Sequence, residues 1–364
     1  MSFEAEKLLR RGVASLKAYV PGRSVEDVAS EYGLSDVVKL ASNENALGPS
    51  PAALRALRGA LEGLHRYPDG AAKALRGRLA EKLGVRRERI FVGNGGDDVL
   101  SVLARTFLNE GEEVIVPQPT FSPYAHVSRV MGAKVLASPL SEFRVDLRDV
   151  RSKVTDRTKL IFLCSPNNPT GTIIPGRELL PFLEDLPRSV IVLLDEAYGD
   201  FVEDPDWPDA IPPAERRPLI VLRSFSKIYG LAGLRVGYGV GPESLIGYMD
   251  RVREPFNVNV LAQAAAAAAL EDEEFRRRTV AAVREGRRRL YAAFGRLGLQ
   301  YLESQANFIF VRVGDADAVT EALLRQGVIV RPGTAFGCRE WVRVTVGLPE
   351  EEEKLLRALA RIAP

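Results

Sequence analysis

The sequence predicts an α/β sheet domain followed by a smaller α+β domain. Three observations carry this. Short apolar runs alternate with helical periods over the first two thirds of the chain. The pattern changes after "REPFNVN". The length of 364 residues exceeds the roughly 250–300 at which one hydrophobic core stops growing.

The apolar runs are "RIFVGN", "EEVIVPQP", "TKLIFLCSP", "SVIVLLDEAY", "PLIVLRSFS" and "RVGYGVG". Most are apolar throughout, the composition of parallel strands covered on both faces. Stretches with a helical period, "DDVLSVLARTFLNEG" and "GRELLPFLEDL", separate several of them. Beyond residue 256 the sequence predicts a long helical region to about residue 297, opened by the alanine run Ala264 to Ala269. Short strands at "NFIFVRV", "GVIVRPG" and "EWVRVTVG" and a last helix ending in "LRALARI" follow. The expected division is an N-terminal arm over 1–40, a large domain over 41–256 and a small domain over 257–364. The arm is expected to join the small domain and a dimer contact. Its first residues, "MSFEAEKLLRRGVASLKAY", read as an amphipathic helix with no secretory apolar core.

Composition narrows the function classes. Fifty basic and 48 acidic residues leave a net charge of +2, which offers no global field for nucleic acid or an anionic membrane. No run approaches the ~18 apolar residues of a membrane span. Two cysteines, Cys164 and Cys338, form no CxxC, and His65 and His126 lie far apart, so neither a disulfide framework nor a metal centre is expected. A cytoplasmic setting is expected.

Ligands of open parallel sheets sit beyond the carboxyl ends of the strands. At those positions the sequence places "GNGGDD", "SPNNPTG", "DEAY" and "RSFSK". Taken singly, each is a turn, a cap or a loop. Taken together, they supply glycines, an asparagine, a carboxylate with a tyrosine, and one lysine in an arginine-rich chain. Lysine forms Schiff bases with carbonyls and arginine does not, which gives Lys227 a reason to be lysine. Pyridoxal phosphate asks for this set: an amine for its aldehyde, an acid for its ring nitrogen, and backbone N–H groups and cations for its phosphate. Asp195 would pair with the ring nitrogen. Gly95 and Gly96 at a helix start, with Ser224, Ser226 and Arg235, would hold the phosphate. A dinucleotide fold is excluded because Asp98 stands where the third glycine of GxGxxG would fall. A regulatory relative would need an added DNA-binding module, and residues 1–40 are too short and hold no helix-turn-helix.

"KLASNENALGPSP", "RYPDG", "GNGGDD", "PTFSPY", "SPNNPTG", "DEAY", "SFSKIYGLAGLRVGY", "ANFIFV" and "VRVTVG" run in order along nearly the whole chain. With these motifs the chain resembles the fold-type I pyridoxal-phosphate aminotransferases of class I/II, and within them the histidinol-phosphate aminotransferase family. The resemblance implies a mostly parallel seven-stranded sheet sandwiched by helices, beside a smaller α+β domain. It implies that Lys227 carries the cofactor and moves the proton at the substrate's Cα, with Asp195 on the ring nitrogen. Asn168 and Tyr198 are expected on the phenolic oxygen, and Tyr124 stacked on the ring. The phosphate is expected at Gly95, Gly96, Asp97, Ser224, Ser226 and Arg235, joined by Tyr67 from the second subunit of a homodimer with composite sites. Arg343, Arg331, Tyr19 and Asn43, with Glu44 nearby, are expected on the substrate side. The implied reaction is transamination between histidinol phosphate and 2-oxoglutarate, giving imidazole acetol phosphate and glutamate, in histidine biosynthesis. Pro123, Gly96 and Asp98 depart from the family's usual residues; the first bears on substrate choice. Aromatic amino-acid transamination and threonine-phosphate decarboxylation are the alternatives that share the cofactor.

Overall fold

The computed structural model describes residues 4–10, 12–14, 16, 18 and 22–362. Among the described residues twelve strands run in chain order: β1 Val38–Lys39, β2 Ile90–Gly93, β3 Glu113–Gln118, β4 Lys134–Pro139, β5 Thr158–Cys164, β6 Ile191–Asp195, β7 Leu219–Ser224, β8 Gly237–Val240, β9 Phe308–Arg312, β10 Val328–Ile329, β11 Arg331–Pro332 and β12 Trp341–Thr345. The helices among them are α1 Val25–Tyr32, α2 Pro51–Ala60, α3 Lys73–Leu83, α4 Gly96–Phe107, α5 Pro123–Val130, α6 Leu147–Ser152, α7 Gly176–Asp185, α8 Pro213–Arg216, α9 Glu243–Val252, α10 Val260–Ala269, α11 Glu273–Arg296, α12 Ala316–Leu324 and α13 Pro349–Ile362.

Seven strands form one sheet in the order β2-β8-β7-β6-β5-β3-β4. Only β8 runs against its neighbours, β2 and β7; every other pair is parallel. Alternate side chains of the apolar strands feed two different cores, as a strand's period of two requires. Ile161, Leu163, Val192 and Leu194 face α3, α7 and α10. Leu160, Phe162, Ile191 and Leu193 face α4, α5 and α9. Strand β4 does not stand out in the sequence, because "KVLASP" at the sheet edge is largely uncovered and mixes polar with apolar residues.

A three-stranded antiparallel sheet, β11-β12-β9, forms the second layer system, with α11, α12 and α13 packed around its core. The N-terminal segment joins it: β1 pairs with β10, and Val28 and Ala41 pack on Leu324 and Ile329. Helix α10 packs elsewhere. Its Ala262, Ala265, Ala266 and Ala269 are fully buried, and the helix lies close against α2 and α3 of the large sheet. The large packing unit thus runs through α10, past the division expected at residue 257. An amphipathic helix over the first 19 residues is not found among the described residues, which hold a single 3₁₀ turn, Ala5–Leu8, with Leu8 and Leu9 exposed. The backbone at Gly12 passes so near α5 that an added Cβ would lie 2.3 Å from the Arg129 carbonyl oxygen. Close docking there competes with a helix.

No described helix is long and apolar enough to cross a membrane. Among the described residues no group of three or more His, Cys, Asp or Glu could hold a metal ion.

Candidate active site

The carboxyl ends of β5, β6 and β7 and the start of α4 enclose a cavity of about 260 Å³. Gly96, Asp97, Tyr124, Asn168, Asp195, Tyr198, Ser224, Ser226, Lys227 and Arg235 all line it, as do Ser42, Phe121 and Cys164. Ten of the expected cofactor residues therefore meet in one place.

Asp195 ends β6 with its side chain buried at the cavity's base. Tyr124 Oη donates to its Oδ2 at 2.7 Å, and the Ala197 N–H donates to Oδ1 at 2.9 Å. Burial still pushes the carboxyl up to about 6, against those two hydrogen bonds. Its neighbour Glu196 faces the other way, where Arg223 Nε and Nη2 bind it at 2.9 and 2.8 Å and tie the ends of β6 and β7 together. Lys227 follows β7, and its Nζ donates to the Ser42 carbonyl at 3.2 Å. Burial lowers this amine to about 8, helped by the charges of Arg343 and Arg235. An amine so shifted is neutral over more of the physiological range, the form that attacks a carbonyl.

The far end of the cavity is built for an anion. Helix α4 starts at Gly96 with free N–H groups, and Gly95, at φ 82°, caps it. A Cβ on Gly95 would lie 2.5 Å from Arg235 Nη2, and one on Gly237 2.9 Å from the Gly96 nitrogen, so glycine is required at both positions. The Arg235 guanidinium thus sits at the positive end of a helix, where Asp97 Oδ2 meets it at 3.3 Å. A cation there is disfavoured unless an anion is shared, and a phosphate is the anion for such a cradle. The residues present fit pyridoxal phosphate: a buried acid at one end, phosphate donors at the other, and a shifted lysine between.

Tyr124, expected to stack on the cofactor ring, is engaged differently. Its ring lies flat on Phe162, with centroids 5.0 Å apart and planes at 14°, and its hydroxyl belongs to Asp195. Phe121, set edge-on to Tyr124 at 5.5 Å, lines both this cavity and the one beside it. Phe121 lies in the same "PTFSPY" motif as Tyr124, three residues before it.

A second cavity of about 140 Å³ adjoins the first and shares Ser42, Phe121, Asn168, Tyr198 and Lys227 with it. Asn43, Arg331, Phe336 and Arg343 close its other side. Arg343 projects from β12 and donates from Nη1 to Asn168 Oδ1 at 2.5 Å and from Nη2 to the Ala41 carbonyl. Asn43, with Nδ2 2.9 Å from Tyr198 Oη, is buried beside it. Glu44 lines the first cavity and pairs with Lys39. Tyr67 lines neither cavity of its own chain: it is 83% exposed and stacked on Phe256. Tyr19 lies outside the described residues.

These features define a class. A profile for aminotransferase class I and II matches residues 35–362, and the chain belongs to that family. The chain is 48% identical to the histidinol-phosphate aminotransferase of Moorella thermoacetica, over 97% of this chain and 92% of that protein. It is 44% identical to histidinol-phosphate aminotransferase 2 of Carboxydothermus hydrogenoformans, over 98% and 99%. Among solved structures it resembles the histidinol-phosphate aminotransferase of Sinorhizobium meliloti in complex with pyridoxal-5'-phosphate, with a TM-score of 0.90, 28% identity and coverage of 98% and 97%. A double mutant of Thermus thermophilus aspartate aminotransferase also matches, with a TM-score of 0.82, 28% identity and 98% of each chain.

Proposed function

We propose that the protein is a pyridoxal-phosphate-dependent aminotransferase that exchanges an amino group between histidinol phosphate and 2-oxoglutarate, a step of histidine biosynthesis. The observation that carries this reading is the junction of the two cavities at Lys227. One side has the acid, the amine and the anion cradle, and the other side has Arg343 and Arg331. Pyridoxal phosphate, when bound, supplies an aldehyde that condenses with amines and a ring that withdraws electrons from the substrate's Cα.

The chain's own residues then have separate tasks. Asp195 keeps a proton on the ring nitrogen. The N–H groups at Gly95, Gly96 and Asp97, with Ser224, Ser226 and Arg235, hold the phosphate. Asn168 and Tyr198 bind the phenolic oxygen, and Phe121 covers the ring face. Lys227 takes a proton from Cα and returns it at the opposite carbon of the C–N unit, which requires an amine that is neutral near its working pH. Arg343 binds the carboxylate of glutamate, a planar anion suited to a guanidinium fork. Arg331, with Tyr19, takes the phosphate of histidinol phosphate.

Tyr67, exposed and outside its own chain's cavities, reaches the phosphate of a second subunit in this reading, so the working unit is a homodimer with two composite sites. The catalytic work falls to a large unit with the seven-stranded sheet and a small unit with β9, β11 and β12, which the N-terminal arm joins. A biosynthetic role on phosphorylated metabolites sets the protein in the cytoplasm. Turnover of histidinol phosphate, phenylalanine, tyrosine and threonine phosphate, each with 2-oxoglutarate, tests the assignment. The highest kcat/KM is expected for histidinol phosphate. A higher value for an aromatic amino acid, or carbon dioxide release from threonine phosphate, overturns it.

A further inference from the structure

A tyrosine hydroxyl can donate or accept, and which it does toward a neighbouring oxygen is decided by what else binds it. Around Tyr198 that choice is made by Asn43, expected only on the substrate side, and by two residues outside the expected set, Thr345 and Asn307. The Asn43 N–H donates to Thr345 Oγ1 at 2.9 Å. With a lone pair so used, the Thr345 hydroxyl donates its own proton to Asn43 Oδ1 at 3.1 Å. The acceptor end of the Asn43 amide is thereby taken, and its Nδ2 is turned to Tyr198 Oη at 2.9 Å. Asn307 Nδ2 donates to the Asn43 carbonyl at 3.1 Å and pins the backbone from the other side. Tyr198 thus accepts from Asn43, and among the described residues no other group hydrogen-bonds its hydroxyl. Its proton is left to point into the cavity.

None of these four residues is more than 6% exposed, so water cannot substitute for a lost partner without cost. Asn43 sits at φ 55°, a left-handed conformation that asparagine tolerates better than most residues. Its amide cannot turn over while Thr345 holds both its N–H and its Oδ1. Thr345 lies two residues from Arg343 on β12, so both side chains lie on the same face of the small sheet, and Arg343 lines the second cavity.

We propose that Thr345 and Asn43 are positioning residues that fix the Tyr198 hydroxyl as a donor toward the phenolic oxygen of the cofactor. The inference rests on the reading above that Tyr198 faces that oxygen. A donated hydrogen bond stabilises the oxygen as an anion. With valine at 345 the Asn43 amide is free to flip and accept from Tyr198, which withdraws the donor.

The test is the pH titration of the visible absorbance of the cofactor-loaded protein. Tyr198→Phe is expected to move the midpoint up by about one pH unit. Thr345→Val is expected to reproduce most of that shift, Thr345→Ser to keep the wild-type midpoint, and the Thr345→Val/Tyr198→Phe double variant to move no further than Tyr198→Phe alone. Asn43→Gly, which keeps the left-handed backbone and removes the amide, is expected to match Thr345→Val and carries the test if the valine variant does not fold. If Tyr198→Phe shifts the midpoint while Thr345→Val and Asn43→Gly titrate as wild type, the positioning role is overturned and the Tyr198 assignment stands. Failure of Thr345→Ser to keep the wild-type midpoint also overturns it, because the hydroxyl is then not what matters. An unshifted Tyr198→Phe removes the Tyr198 assignment and this inference together.

Discussion

The hydroxyl of Tyr124 lies 2.7 Å from the Asp195 carboxylate, beneath the cavity and sealed from solvent by Phe162 and Cys164. Hydrogen bonds to a buried charge are worth about 1.5–3 kcal/mol. Tyr124→Phe keeps the ring packing and leaves Asp195 with only the Ala197 N–H. The expected outcome is a rise of roughly tenfold or more in the dissociation constant of pyridoxal phosphate, read by absorbance titration. A variant that binds the cofactor as tightly as wild type would assign the hydroxyl no part in holding the carboxylate ready.

The two titrating groups of the cavity give the cofactor-free protein a distinctive pH dependence. The carboxyl of Asp195 is raised to about 6, so between its ordinary 3.8 and 6 the folded chain holds an extra proton and stability falls as pH rises. Lys227 is lowered to about 8, so between 8 and its ordinary 10.5 the unfolded chain holds the extra proton and stability rises with pH. Both burial costs act together from about pH 6 to pH 8. Lys227→Met, without cofactor, is expected to melt about 2 °C or more above wild type at pH 7, with the gain shrinking as pH passes from 8 toward 10. An advantage that grows over that upper range contradicts the lowered amine.

Arg343→Lys keeps the charge and loses the fork that meets Asn168 and Ala41. KM for glutamate and for 2-oxoglutarate is expected to rise by about 10–100-fold, with a smaller effect on cofactor binding. Steady-state kinetics with both substrates checks this. Arg331→Ala is expected to raise KM for histidinol phosphate more than for glutamate. Equal effects on the two would remove the phosphate assignment.

The proposed composite sites are tested by mixing. In a dimer of one Lys227→Ala and one Tyr67→Ala subunit, one site carries both lesions and the other carries neither. Co-refolded mixtures are expected to show activity above either parent, approaching one normal site per mixed dimer. If mixing restores nothing while sequential purification on two different affinity tags recovers mixed dimers, Tyr67 serves its own subunit or none.

Much of the site was legible because chemistry concentrates at strand ends, where a polar residue after an apolar run has few structural reasons to be there. Asp195, Lys227 and the glycines at 95 and 96 stand out in this way. What escaped were choices made by packing. Phe121 and Tyr124 share one motif, and nothing in their spacing says which ring faces the cavity; the proximity of Phe162 and Asp195 decides it. Thr345 looks like an ordinary strand threonine, since its partner Asn43 lies 302 residues away. The alanines of α10 predict a helix but not its side of the molecule, which α2 and α3 determine. The first residues carry a helical pattern, yet Gly12 is docked against α5 too closely for a side chain.

Four consecutive residues, Leu40 to Asn43, receive the Thr345 N–H, the Arg343 guanidinium, the Lys227 amine and, through the last side chain, the tie to Tyr198. A change in this segment therefore reaches the residues proposed for anion binding, proton transfer and cofactor tuning at once. A lineage that alters "LASN" would have to rebuild all three contacts together.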